Sequence, residues 1–263
     1  MRELYEFKHS VVHHLDARVK VIFTLAFIIF LNLTPTGAWP AYILFLTLIL
    51  SAGVLSRLGL GLLVRRSLFA LPFGLAAIPL IFTGPAPYVH FTVFQGIQVS
   101  ISPAGLERFM SITLKLWVSV QAAVLLSATT RFPDLLAALQ QLRVPKLFVA
   151  ILGLMWRYLF VISDEASRML RARTSRSAAE QGAPRKGGSI GWRARVTGGM
   201  AGSLFLRSLE RSDRVYAAMA ARGYNGELPA SEARPLPAGS QRILALGFCV
   251  LFLLLVLGLL TGG

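Results

Sequence analysis

The amino-acid sequence predicts an all-α polytopic membrane protein, with about five transmembrane helices and a cytosolic block of one short and two long helices between the fourth and the fifth. Three observations predict this fold class. Hydrophobic residues make up 55% of the chain and charged residues only 15%, whereas a soluble domain usually carries about 25% charge. Several apolar runs are long enough to span a bilayer. Lysines and arginines concentrate in alternate loops, as the positive-inside rule expects.

The first transmembrane helix is predicted around the apolar run Val21–Leu33, within an N-terminal region that covers residues 1–130. The run is short for a bilayer, but it can extend back to Leu15. Arg18 and Lys20 would then reach to the interface, because long basic side chains bury their stems and keep their charges in water.

Three further transmembrane helices are predicted in this region, over Ala41–Leu55, Leu68–Phe82 and Ile112–Thr129. Residues 41–55 and 112–129 contain no proline, but Leu68–Phe82 contains Pro72 and Pro79. Proline lacks a backbone N–H and clashes with the preceding turn. This helix is therefore predicted to be kinked, and the carbonyl groups that it frees need other partners.

The segment Tyr88–Ser102, between the third and fourth helices, alternates apolar and polar residues and contains several β-branched side chains. This pattern suggests a short strand or hairpin on the outer face, but an ordered surface loop is the preferred interpretation. The last transmembrane helix is predicted over Ile243–Leu260, in the C-terminal region 242–263, because these residues form a long run without charge.

Residues 131–241 form the predicted cytosolic block. A short amphipathic helix is expected over residues 132–142, and two long helices are expected over Lys146–Ser175 and Trp192–Arg222. The segment Ser177–Gly191 between the long helices is rich in Gly, Ala and Ser, which is typical of a flexible linker.

The distribution of positive charge predicts the orientation of the chain. Of its 27 lysines and arginines, four lie in residues 1–20, three in 57–66 and eighteen in 131–242. The segments assigned to the opposite side hold the remaining two, both within residues 84–115. Five membrane crossings, with the N-terminus in the cytoplasm and the C-terminus outside, satisfy the positive-inside rule.

One further apolar stretch, Leu147–Ile162, would reverse the orientation of the last helix if it crossed the membrane. A crossing is rejected because the uninterrupted run is only ten residues long, and because basic residues flank it on both sides. The stretch is interpreted as the start of a long helix that lies along the membrane against the helical bundle.

The two long helices end in matching tripeptides, Ala172-Arg173-Thr174 and Ala221-Arg222-Gly223. Gly223 stands where a left-handed helix cap is expected. An arginine near a helix C-terminus is ordinary, because the helix dipole favours it by about 0.3–1 kcal/mol. Two such ends on two helices of one cytosolic block are harder to explain by chance, and they indicate contacts with a cytosolic partner.

Other classes of function fit the sequence less well. In a soluble protein a net charge of +15 would suggest binding to nucleic acid. In a membrane protein the positive-inside rule explains the basic residues, so no nucleic-acid partner is expected. His9 and His13 have i,i+4 spacing, yet two ligands leave a metal site incomplete, so neither a metal nor a cofactor is expected. The predicted transmembrane helices hold no histidine, and the chain has no ATP-binding Walker A pattern, so no catalytic residue is assigned.

The chain resembles a known family, the transmembrane T components of energy-coupling-factor (ECF) transporters, also called the CbiQ/EcfT family. The resemblance covers essentially the whole chain and is closest to the cobalt-transport branch. Three groups of residues carry it, and they are the opening segment Leu15-Asp16-Ala17-Arg18-Val19-Lys20, the central-helix residues Arg157-Tyr158, Asp164-Glu165 and Arg168-Met169, and the two tripeptides. Ala17 stands where the family usually has proline.

The resemblance implies a non-catalytic scaffold in the plasma membrane of a prokaryote. Two ABC-type ATPase subunits would bind the two tripeptides, one each, and the residues implied in this contact are Ala172, Arg173, Thr174, Ala221, Arg222 and Gly223. A separate substrate-binding membrane subunit would be held within the bilayer. Asp16 and Arg18 are interpreted as a structural motif, a helix cap and a base at the cytosolic start of the first transmembrane helix.

The resemblance favours cobalt as the transported substrate. Nickel, biotin and other vitamins are the alternatives, because the partner subunit selects the substrate. A second alternative is the membrane subunit of an ordinary transporter with its own substrate path.

Overall fold

The protein is described by a computed structural model over residues 5–8, 10–82, 89–93, 97–176, 189–224 and 237–262. These residues form helices α1 (Val11–His14), α2 (Ala17–Leu33), α3 (Trp39–Leu55), α4 (Leu60–Ser67) and α5 (Leu71–Gly74), strands β1 (Val89–Val93) and β2 (Ile97–Ile101), and helices α6 (Pro103–Thr129), α7 (Phe132–Gln141), α8 (Lys146–Arg176), α9 (Ile190–Ala221) and α10 (Ala238–Thr261). The predicted all-α membrane fold is confirmed, with one short hairpin added to it.

The chain divides into two compact units, one made of residues 2–138 with 234–263 and the other of residues 139–233. The first is a helical bundle, and its largest fully buried side chains are Phe27 and Leu31 of α2, Tyr42 and Phe45 of α3, Leu63 of α4, Gln121 and Val118 of α6, and Leu251 of α10. Small residues on α10 bring the helices close together, since Gly258 lies against Thr34 and Ala41. The predicted region boundaries at residues 130 and 241 stay a prediction.

Helix α2 begins where the sequence places a helix cap. The Asp16 carboxylate accepts a hydrogen bond from the Arg18 N–H at 3.0 Å, and the Arg18 Nε lies 3.4 Å from the same oxygen. Lys20, however, does not reach to the interface as predicted. It is 9% exposed, and its ammonium donates to the carbonyls of His13 and Thr129, each at 3.1 Å.

The third apolar segment is irregular, as its two prolines suggest, while the predicted kink stays a prediction. Between Leu60 and Ile81 the α-helical turns of α4 and α5 alternate with 3₁₀ turns over Leu68–Ala70 and Leu75–Ile81. One carbonyl at the end of this segment, that of Ile81, accepts a hydrogen bond from the Ser102 N–H at 3.1 Å. The start of α6 thus satisfies a carbonyl at the end of the segment, where no further helical N–H follows.

Gly105 allows this contact, and we expect Gly105→Ala to destabilise the bundle. An added Cβ would lie too close to the carbonyl oxygens of Leu80 and Ile81, and backbone cannot move aside as a flexible side chain can. Overpacking of this kind costs about 1–3 kcal/mol. The midpoint of thermal unfolding in detergent should fall, whereas Gly198→Ala should not lower it, because the corresponding space on α9 is open. Equal midpoints for both variants would contradict the prediction.

Strands β1 and β2 form an antiparallel hairpin in which Val89 pairs with Ile101 and Val93 with Ile97. The segment that alternates in sequence is therefore a hairpin, as its pattern suggests, and not the surface loop that was the preferred interpretation. Within the bundle, Lys115 of α6 donates to the carbonyls of Asn32 and Thr34. It thus stabilises the C-terminal end of α2, where carbonyl groups lack helical partners.

The three helices of the predicted block occur where they are expected. Helix α8 is continuous from Lys146 to Arg176, which confirms that the apolar run begins a long helix. Helix α9 begins two residues earlier than predicted, because Ser189 caps it by accepting a hydrogen bond from the Trp192 N–H at 3.2 Å. Most of the predicted linker, residues 177–188, lies outside the described residues.

Four described helical segments are long and apolar enough to cross a membrane, namely Leu60–Ile81, Pro103–Thr129, Lys146–Arg176 and Ala238–Thr261. Helix α3 is apolar but has only 17 residues. Length and composition alone therefore admit a crossing by α8. The placement of α8 outside the bilayer, which follows from flanking charge, stays a prediction.

Candidate functional site

Helices α8 and α9 pack against each other in an antiparallel arrangement. Arg173, in the last turn of α8, contacts Thr197 near the start of α9. Glu165, about two turns earlier on α8, contacts Arg207 and Arg211 further along α9. Residues earlier on α8 thus contact residues later on α9, as in an antiparallel pair. The C-terminal ends of the two helices therefore lie at opposite ends of the pair.

The predicted coupling arginine of α8, Arg173, is half-buried and is held by α9. Its Nη1 donates a hydrogen bond to Thr197 Oγ1 at 3.0 Å. Its guanidinium also lies 5.9 Å from the centroid of the Trp192 ring, within the range of a cation–π interaction. These contacts orient the arginine. Its neighbours Ala172 and Thr174 are exposed.

The predicted coupling arginine of α9, Arg222, lies at the helix end and is exposed. The Gly223 N–H donates to the Ala220 carbonyl, and the Tyr224 N–H donates to the Met219 carbonyl, each at 3.0 Å. Gly223 has a φ of +81°, which confirms the predicted left-handed cap. These two bonds form a Schellman motif. Arg222 therefore lies exposed at the point where the backbone leaves the helix.

The two arginines are widely separated on this unit. Thr197 marks the position of Arg173 along α9, and Arg222 follows Thr197 by 25 residues. At a rise of 1.5 Å per residue, this corresponds to about 37 Å along the helix. Ala172 and Ala221, which precede the arginines, are both exposed. Each arginine therefore has a small neighbour, and a partner can approach the backbone closely.

A single carboxylate joins the two helices between these ends. Glu165 accepts hydrogen bonds from Arg207 of α9 at 2.8 Å and from Arg168 of its own helix at 3.1 Å, and Arg211 of α9 lies 3.6 Å away. The hydrogen bond from Arg207, together with the positive charge around the group, lowers the pKa of the Glu165 carboxyl below its ordinary value. The carboxylate therefore stays charged at neutral pH.

A groove of about 400 Å³ lies between α8 and α9, beside the Schellman motif of α9. Its lining is mostly apolar and aromatic, and the residues of α8 in it are Leu154, Tyr158 and Ile162, facing Ser212, Val215, Tyr216, Met219 and Tyr224. The apolar half of α8, which includes the predicted interfacial stretch, thus contacts the C-terminal half of α9.

Sequence reasoning located both arginines but missed the residues on α9 that hold Arg173 and Glu165. Arg207 and Arg211 are spaced one turn apart, which is a signal for two cations on one helix face. Nothing in the sequence marks Thr197 or Trp192 as a partner of Arg173, which lies 24 and 19 residues before them, because these contacts depend on how the two helices pack.

The described residues hold no group of three or more side chains suited to a metal ion. Both ring nitrogens of His13 have hydrogen-bond partners, Ser10 Oγ at 2.7 Å and the Glu6 carbonyl at 3.1 Å. Burial lowers the pKa of His13 below its ordinary value. His13 therefore acts in local structure, while His9 lies outside the described residues.

Comparison with known proteins gives one family match and several relatives. The family model described as CbiQ, cobalt transport protein, matches residues 8–232. An energy-coupling factor transporter transmembrane protein EcfT from Macrococcus caseolyticus is 26% identical over 259 residues, which is 94% of this chain and 93% of the relative.

Two further relatives carry the name of the cobalt branch. The cobalt transport protein CbiQ of Rhodobacter capsulatus is 28% identical over 171 residues, which is 65% of this chain and 66% of that protein. A putative fused cobalt transport protein CbiMQ of Methanocorpusculum labreanum is 28% identical over 259 residues, covering 95% of this chain and 40% of the longer fused chain.

Proposed function

The chain belongs to the CbiQ cobalt transport protein family, and we propose that it is the T component of an ATP-driven importer, the membrane subunit that couples ATPase motion to a separate substrate-binding subunit. Its membership makes it a transmembrane component of an ECF-type or cobalt transporter. The proposal adds the partners, the coupling residues and the substrate.

One observation carries the coupling role. The α8–α9 pair presents two arginines near helix C-termini at its opposite ends, about 37 Å apart along α9. A single binding surface would place them together. Two separated arginines, each beside an exposed alanine, suit two separate partners of the same kind. We assign one ATPase subunit to Arg173 and the other to Arg222.

The chemistry of arginine supports this assignment. A guanidinium is planar and pairs bidentately with a carboxylate, so the contact has a fixed direction as well as a charge. When two ATPase subunits close on ATP, carboxylates that hold Arg173 and Arg222 would move the ends of α8 and α9. That movement would be passed to the substrate-binding subunit within the membrane.

We propose cobalt ion as the substrate, because the family description and two of the named relatives refer to cobalt transport. Nickel, biotin and other vitamins remain the alternatives, since relatives named only for the energy-coupling factor match over a similar length. We further propose a prokaryotic plasma membrane location, with the N-terminus in the cytoplasm and the C-terminus outside.

Purification of the tagged chain from its native membrane tests the proposed function. We expect two equivalents of ABC-type ATPase and one integral membrane subunit to co-purify. Proteoliposomes of this complex should take up radioactive Co²⁺ only with ATP, and Ni²⁺ and biotin serve as competing substrates. A chain that purifies alone and transports by itself would be an ordinary transporter subunit.

A further inference from the structure

In the described part of the chain, every ion pair between α8 and α9 uses Glu165. Arg207 and Arg211 reach it from α9 at 2.8 and 3.6 Å. The pair Arg214–Glu210 lies within α9, and it is long, at 4.0 Å, and exposed. The Glu165 side chain is only 17% exposed, which is low for a charged side chain on the surface of a helix. One carboxylate thus accounts for the described ion pairs between the two helices.

The surroundings of Glu165 make its charge necessary. Three guanidinium groups, those of Arg168, Arg207 and Arg211, converge on its two oxygens. Arginine does not lose its charge in a protein. Without the carboxylate, three positive charges would face one another across the helix pair and repel. Removal of the negative charge therefore changes the contact from attraction to repulsion.

Glu165 also lies between the two coupling arginines. On α8 it precedes Arg173 by eight residues, which is about 12 Å of helix. On α9 its partner Arg207 precedes Arg222 by 15 residues, which is about 22 Å. A shift of one helix against the other at Glu165 would therefore change the distance between the two arginines directly.

We propose that Glu165 is a positioning residue that sets the spacing of Arg173 and Arg222, so that both engage their ATPase subunits at the same time. This inference rests on the proposed coupling role of the two arginines. Two contacts to a pair of associated ATPase subunits hold the pair far more tightly than either contact alone, but only when the spacing of the arginines matches the two sites. Glu165 maintains that spacing without contacting the ATPases.

The first test uses the full-length chain alone. Spin labels on Ser175→Cys and Ala218→Cys, in a Cys249→Ser background, report the distance between the two helix ends, and both label positions are exposed. The unsubstituted pair should give one narrow distribution of distances, and Glu165→Gln should broaden or shift it. The matched control Glu210→Gln, which removes a carboxylate paired only within α9, should leave it unchanged.

The second test measures how much ATPase co-purifies with the tagged chain. We expect Glu165→Gln to reduce it about tenfold or more, and Glu165→Asp, which keeps the charge, to retain most of it. In a chain that already carries Arg173→Ala, Glu165→Gln should cause no further loss, because spacing matters only when both arginines engage. A general loss of folding would instead lower the yield in both backgrounds.

The outcomes separate this inference from the proposed function. An unchanged distance distribution in Glu165→Gln, or an equal loss of ATPase in the Arg173→Ala background, would overturn the positioning role. If the ATPase stays bound after both arginines are substituted, the proposed function fails. The spacing of the arginines would then have no role in ATPase binding, even if the spin labels show a shift.

Discussion

Replacing both Arg173 and Arg222 by alanine is expected to strip the ATPase subunits from the purified complex and to abolish transport. Truncating one partner of a desolvated charge pair at an interface typically costs about 2–5 kcal/mol. The two arginines lie at opposite ends of the helix pair, so each loss falls on a separate contact. The amount of ATPase that co-purifies with the tagged chain, and the ATP-dependent uptake by proteoliposomes, measure the effect.

Each single replacement is expected to weaken binding without abolishing it, because the other contact remains. Arg173→Lys and Arg222→Lys keep the charge but lose the planar fork, and they should fall between the wild type and alanine. A matched control is Arg171→Ala with Arg214→Ala. It removes the same net charge from exposed positions of the same two helices, outside the motifs, and it should leave the ATPase bound. Wild-type transport by the Arg173/Arg222 double variant would refute the coupling role.

Much of the fold was predictable because it follows from local chemistry. Apolar runs bounded by prolines and charges predicted the positions of the apolar helices, and Pro72 and Pro79 predicted that one of them is irregular. Gly223 marked the end of α9, since a left-handed cap strongly favours glycine. These features depend on residues within a few positions of one another, so the sequence displays them directly.

The candidate site was predictable only in part, for the same reason. The positions of Arg173 and Arg222 near helix ends could be predicted because each depends on its own helix alone. Their relation to each other depends on the register of α8 against α9, which is set by Glu165 and its partners 42 and 46 residues away. No local pattern encodes such a register. The antiparallel order of the two arginines therefore needed the structure.

Lys20 shows how the sequence can mislead at a membrane boundary. Its position at the start of an apolar run suggested a side chain that reaches to the interface. In the structure it is buried against α6, because the carbonyl of Thr129, 109 residues further along the chain, accepts its hydrogen bond. A lysine that extends into water and one that ties two helices together have the same local sequence.

We accordingly expect Lys20→Met to destabilise the bundle strongly. Methionine keeps an unbranched apolar side chain that is one atom shorter than lysine, but it cannot donate, so the carbonyls of His13 and Thr129 would lose their shared donor. An unsatisfied buried acceptor costs about 1–3 kcal/mol. In a chain of this size each kcal/mol lowers the midpoint of thermal unfolding by about 2–4 °C. Unfolding in detergent, followed by tryptophan fluorescence, measures the shift.

Lys8→Met is the matched control for this prediction. Lys8 also donates to a carbonyl, that of Arg57 at 2.8 Å, but its side chain is 40% exposed. Water can replace the lost donor there, so its midpoint should stay close to that of the wild type. Because Lys20 links the end of α1 and the end of α6 through one ammonium group, its loss should loosen both helices together. If the two variants unfold at the same temperature, Lys20 contributes no more than an exposed lysine does.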